Sequence, residues 1–260
     1  MNHQSVYILA RNLEGGVTVW YAAMWGAIAG SAVFLGALAA IFLPVKERII
    51  GDIMAFGTGI LIGAASYELL EDSVNNGGLK ATAIGFTLGA LLFTILNYFV
   101  SKNGADQRKR STQQAKGTGL AIFIGTVMDA IPESIMVGAS LLEKQTVSWL
   151  LVVAIFLSNI PEGLSSTVGL KNSGYSKNKI FLLWFSVLVI SSFSAWGGFF
   201  FLSNSPDYLL AGIAAFAGGA IIAMITSTMM PEAYEDSGTV TGLIAALGLL
   251  VSLIMDHFSS

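Results

Sequence analysis

Apolar residues gather in eight long runs, at roughly 17–43, 50–71, 80–101, 118–142, 147–170, 179–203, 208–232 and 239–257. About 20 apolar residues form a helix long enough to cross a bilayer. The pattern therefore predicts eight membrane-spanning helices, spans 1 to 8 in chain order. The segments between them are too short for a soluble domain, and the longest, 101–117, reads as a flexible loop. The expected fold is all-α, a polytopic membrane protein forming one transmembrane domain over 1–260. Met1 to Gly16 is polar and lacks the layout of a signal peptide, so span 1 is expected to direct insertion.

Composition agrees with this pattern. The chain is 54% hydrophobic and only 11% charged, against about 25% charged in a soluble domain. It has too little polar surface to dissolve. There are no cysteines, which excludes a disulfide framework and a thiolate metal site. Lys and Arg divide unevenly between the two sides. Lys46, Arg48, Lys102, Arg108, Lys109, Arg110, Lys116, Lys171, Lys177 and Lys179 follow the odd-numbered spans, while only Arg11, Lys80 and Lys144 lie opposite. Positive loops stay in the cytoplasm, so the 101–117 loop is expected there and both termini outside.

Glycine is abundant, and Gly26/Gly30, Gly59/Gly63 and Gly85/Gly89 each stand four apart. Such pairs let membrane helices approach closely; chance would also supply some among 29 glycines. Span 2 (Ala55-Phe56-Gly57-Thr58-Gly59) and span 7 (Ala215-Phe216-Ala217-Gly218-Gly219) are alike and run in opposite directions. An inverted repeat is the expected plan, with spans 1–3 and 6–8 around spans 4–5.

The candidate chemistry lies in spans 4 and 5. Asp129-Ala130-Ile131-Pro132-Glu133-Ser134 and Ser158-Asn159-Ile160-Pro161-Glu162-Gly163 set carboxylates beside prolines within apolar runs. Charge in hydrocarbon is costly and is rarely kept without a partner or an ion. Asp129 and Glu133 are four apart and share a helix face, as do Ser158 and Glu162. Pro132 and Pro161 cannot donate to the carbonyls of Met128 and Leu157, so each is expected to bend its helix and free an oxygen near the acids. Clustered carboxylates repel one another. A bound cation would relieve them, and so would protonation. The bland alternative is protonated acids bonded to neighbouring helices. Glu68, at the end of span 2, reads as an entrance group or a solvated helix end, and Glu71 and Asp72 as solvated. Glu232 in Pro231-Glu232-Ala233-Tyr234-Glu235-Asp236 reads equally as an exit group or a wet end. His3 and His257 are expected to be exposed.

At these residues the chain resembles the ZIP family of divalent-metal transporters. The resemblance covers the whole layout and rests on the paired Pro-Glu motifs, with support from Glu68-Leu69-Leu70 and Met229-Met230-Pro231-Glu232. It implies eight helices, outer termini, a cytoplasmic loop between helices 3 and 4, and a metal site in helices 4 and 5. Glu133 and Glu162 match the family's metal-binding glutamates. Asp129 stands where helix 4 usually carries a ligand His, and Ala130 where it carries Asn. Ser158 takes a position usually held by His or Gln, and Asn159 one held by Asp or Asn. The Ser191-to-Trp196 stretch of span 6 lacks the Glu many members have there. One metal is therefore expected rather than two. It would sit among the oxygens of Asp129, Glu133, Ser158, Asn159 and Glu162. Oxygen ligands favour harder ions than imidazole does, so Mn²⁺ and Fe²⁺ join Zn²⁺ as expected substrates.

The expected activity is transport of divalent cations into the cytoplasm, with no resident cofactor and no enzymatic step. The alternatives are a non-transporting sensor or scaffold of the same family, and an intramembrane hydrolase. The hydrolase reading has little support, because Asp129 stands alone at mid-depth with no Gly-x-Gly-Asp context. The expected partners are the metal ion, the lipid bilayer and a second copy in a homodimer, with no nucleic acid. Compact length and short loops point to an integral protein of the bacterial plasma membrane.

Overall fold

The computed structural model describes residues 3–102, 118–144, 147–203 and 205–259. The loop expected at 101–117 lies outside the described residues beyond Lys102, as do the side chains of His3, Arg11 and Lys144. Every regular element among the described residues is helical. The helices are α1 (His3–Phe42), α2 (Glu47–Ala64), α3 (Asp72–Lys102), α4 (Thr118–Lys144), α5 (Trp149–Asn172), α6 (Lys177–Leu202), α7 (Asp207–Met224), α8 (Met230–Ser237) and α9 (Thr241–Ser259). Wide π-type turns, Ala65–Glu71 and Ile225–Met229, join α2 to α3 and α7 to α8.

Local chemistry sets the boundaries. The Ser148 hydroxyl accepts from Leu151 N at 3.1 Å and starts α5. Ser176 does the same for Lys179 N at 3.4 Å and starts α6. Both satisfy amides that a first helical turn leaves unpaired.

Six stretches among the described residues are long and apolar enough to cross a membrane. Two of them, Glu47–Lys102 with 56 residues and Asp207–Phe258 with 52, far exceed the length of one crossing. Each is interrupted at a glycine with positive φ, Gly78 (φ 76°) and Gly238 (φ 68°), a conformation other residues rarely adopt. Packing shows what happens there. Gly51 of α2 lies against Asp236, and Leu70 against Gly218 of α7, so α2 and the α7–α8 stretch run antiparallel. Gly85 and Gly89 of α3 meet Gly212 and Phe216, so α3 past Gly78 runs parallel to α7. Gly59 and Gly63 meet Ala245 and Ser252, so α9 runs parallel to α2. The chain reverses at both glycines. Helix starts at Glu47 and Asp207, wide turns from Ala65 and Ile225, and reversals at Gly78 and Gly238 keep one constant spacing.

The three glycine pairs noted in the sequence all sit at helix crossings. Gly26 and Gly30 press on Ala195 and Ser191 of α6, in descending order, so α1 and α6 are antiparallel. α1 also packs on α4 and α5, and α4 on α6; α2 packs on α8 and α9, and α3 on α7. The α2–α5 contact joins these two groups. There a Cβ on Gly57 would stand 2.9 Å from both the Leu157 carbonyl oxygen and Ser158 Cα. The helices touch backbone to backbone.

An alanine at Gly59 would drive its methyl into the Ala245 carbonyl, whereas at Gly212 it would meet nothing within 4 Å. Gly59→Ala is expected to destabilise the purified protein by about 1–3 kcal/mol. Gly212→Ala should be neutral or stabilising by up to about 1 kcal/mol. Thermal unfolding in detergent, with both variants in parallel, checks the pair.

Candidate functional site

Hydrocarbon surroundings require polar groups to find partners inside the protein. Among the expected site residues, Asp129 and Glu133 lie on α4, and Ser158, Asn159 and Glu162 on α5. All are buried, none more than 4% exposed. Asn159 Nδ2 donates to Glu133 Oε2 at 3.3 Å and ties α4 to α5 at mid-helix. Asp129 is one turn before Glu133 on α4, and Glu162 nearly one turn after Asn159 on the antiparallel α5. The two acids therefore fall at a similar level, beside the tie. The Ser158 hydroxyl donates to the Ile155 carbonyl at 3.0 Å and keeps acceptor capacity.

Both prolines are inside continuous helices. The carbonyl that Pro161 releases, that of Leu157, lies close to Gly57 of α2. The absent Cβ of Gly57 opens the space, and the oxygen settles against α2.

Among the described residues, no three His, Asp or Glu side chains group closely enough to hold an ion by themselves. A cation here would need neutral oxygens beside the acids. The Asn159 amide and the Ser158 hydroxyl are the nearest in register, and oxygen ligands of this kind suit hard divalent ions.

The outlying groups are placed as follows. Glu68 is buried within the wide turn after α2, while Glu71 is exposed and Asp72 half-buried. Wide turns of this type recur at functional sites. Glu232 is half-buried on α8, which packs on α2 and α9 and not on the Glu133–Asn159 tie. His257 is exposed.

Sequence reading missed the hydroxyls on the inner faces. Thr126, Ser165 and Ser166 are each at most 2% exposed, and their oxygens have no hydrogen-bond partner among the described residues. The signal was available. Thr126 and Ser166 stand seven residues from Glu133 and Asn159, two full turns along the same helix faces. Thr167 differs, since its hydroxyl accepts from Trp184 Nε1 at 2.8 Å.

No protein-family model matches the chain. It is similar to a protein of Arabidopsis thaliana named "Putative zinc transporter", with 23% identity over 230 residues. The match covers 87% of this chain and 37% of the relative, so the chain spans little more than a third of that protein's length. The similarity bears out the resemblance to the ZIP family read from the Pro-Glu motifs. A transporter's name also accords with the expectation of no enzyme.

The Glu133–Asn159 bond predicts energetic coupling between α4 and α5. Asn159→Ala should destabilise the protein by about 1–3 kcal/mol, because a buried carboxylate loses a donor. In a Glu133→Gln background the same change should cost about 1 kcal/mol less. A double-mutant cycle on thermal or denaturant unfolding measures the difference.

Proposed function

We propose that the chain carries divalent metal cations across a membrane through a mid-depth site of carboxylate, amide and hydroxyl oxygens. The observation that carries this reading is the Glu133–Asn159 bond. It joins two proline-containing helices on which Asp129 and Glu162 are also buried. Buried acids on converging membrane helices mark ion pathways. The similarity to a protein named as a zinc transporter supports the same reading. Glu133 and Glu162 would be charged ligands. Asp129 would be a ligand or a proton acceptor, and Ser158 and Asn159 would complete the shell directly or through water. Glu68 would attract cations at the entrance, and Glu232 would receive them at the exit.

The architecture proposed for this carrier is eight spans. The reversals at Gly78 and Gly238 support it, since they divide the two overlong stretches into four. The constant spacing of those reversals and the antiparallel α1–α6 and α2–α7 pairs support an inverted repeat around α4 and α5. In this reading the basic loops face the cytoplasm, metal moves inward, and the group holding α4 and α5 shifts against the group holding α2. The proposed location is a bacterial plasma membrane, with both termini outside and a homodimer as the assembly.

Reconstituted vesicles offered Zn²⁺, Mn²⁺ and Fe²⁺ test the carrier. Uptake of at least one ion is expected, and Glu162→Gln should lower it at least about tenfold while the protein remains folded. Undiminished uptake by that variant would refute the role given to Glu162. An all-oxygen shell further predicts that Mn²⁺ competes with Zn²⁺ uptake within about tenfold of zinc's own affinity. A strong zinc preference in the competition assay would show that other ligands set selectivity.

A further inference from the structure

One hydrogen bond and one shared apolar cluster orient α4 and α5 relative to each other. Glu133 and Asn159 are hydrogen-bonded. Toward the start of α4 and the end of α5, Ile122 and Leu170 share one buried core cluster with Trp184. Ile122 is eleven residues before Glu133, and Leu170 is eleven after Asn159. Between the bond and the cluster, seven residues from each partner of the bond, stand Thr126 and Ser166. Seven residues are two turns, about 10 Å of helix. Each hydroxyl thus lies about 10 Å along its own helix from its end of the Glu133–Asn159 bond, on the side of the apolar cluster.

Thr126 and Ser166 are 1% and 0% exposed, and neither hydroxyl has a hydrogen-bond partner among the described residues. A buried hydroxyl left unpaired is costly. Helical Ser and Thr commonly avoid that cost by bonding back to their own turn, as Ser158 does with Ile155. Ser165 is buried and unpaired as well, but it shares the side of α5 with Ser158, which meets α2 at Gly57. It belongs to a different seam.

We propose that Thr126 and Ser166 face one another and form a second cation station, a hydroxyl pair that receives a divalent metal ion after it leaves the carboxylates. This rests on the carrier reading above. Each hydroxyl oxygen offers lone pairs to a hard cation, and waters moving with the ion would complete its shell. Neutral ligands hold a dication more weakly than carboxylates. A station near the exit needs that property, because conduction requires binding weak enough to release. Beyond it, Ile122, Leu170 and Trp184 form an apolar layer, and the bond from Trp184 to Thr167 holds the indole in place. The ion would pause at the hydroxyls until that layer parts.

The absence of native cysteine allows thiols to be introduced alone. In a Glu162→Gln background, the double variant Thr126→Cys with Ser166→Cys is expected to bind one additional Cd²⁺ per chain. Its affinity should be at least about tenfold tighter than that of either single variant, by equilibrium binding to the full chain in nanodiscs. No added Cd²⁺ site in a monodisperse double variant would overturn the proposal, because the side chains would not face each other. A second arm uses near-isosteric changes, Thr126→Val with Ser166→Ala. Uptake of Zn²⁺ or Mn²⁺ into vesicles should fall about tenfold, with equilibrium affinity for the same ion within about twofold of the unmodified chain. Uptake equal to the unmodified chain would show that the hydroxyls hold only structural water, and would overturn the station. If the unmodified chain binds Zn²⁺ or Mn²⁺ and moves neither, the carrier reading fails, and the Cd²⁺ arm still decides whether the pair can grip a cation.

Discussion

A carboxylate kept in hydrocarbon constrains everything around it. Its charge or its proton needs oxygen and nitrogen partners within about 3 Å, and lipid offers none. Two helices must therefore bring polar atoms to the same depth and hold them there. In this chain the requirement is met at Glu133 and Asn159, one from each of two proline-containing helices. Asp129, Ser158 and Glu162 occupy the neighbouring turns of the same helices and are buried with them.

Close approach of the surrounding helices keeps this polar centre enclosed. The hydrophobic effect does little to draw helices together in lipid, so packing distance matters. Glycines supply it where Gly26 and Gly30 of α1 meet α6, Gly59 and Gly63 of α2 meet α9, and Gly85 and Gly89 of α3 meet α7. These crossings brace the helices that flank α4 and α5. The acids, in turn, sit in a region where few side chains separate one backbone from the next. Close packing and the buried site are linked features of one arrangement.

The Pro-Glu motifs were legible because a charged residue beside proline is conspicuous inside an apolar run. The glycine spacing was legible for a similar reason, since four-residue repeats lie along one helix face. The reversals at Gly78 and Gly238 were legible as well, because each falls in a polar gap between apolar runs, 72–79 and 233–238. The approach of the Leu157 carbonyl to α2 could not be read from α5 alone, since it depends on Gly57, a hundred residues away in the chain. Thr126 and Ser166 escaped notice because hydroxyls blend into membrane helices. Only their matched offset from Glu133 and Asn159, once those two were known to touch, singles them out.

The seam at Gly57 has a mechanical consequence. Interlocked side chains resist sliding, because each must leave its socket before the surfaces can shift. At this point α2 presents a bare Cα to the Leu157–Ser158 peptide of α5, with no knob to lift and no socket to vacate. Friction along that line is low. That track passes beside Ser158, one of the buried polar residues of α5.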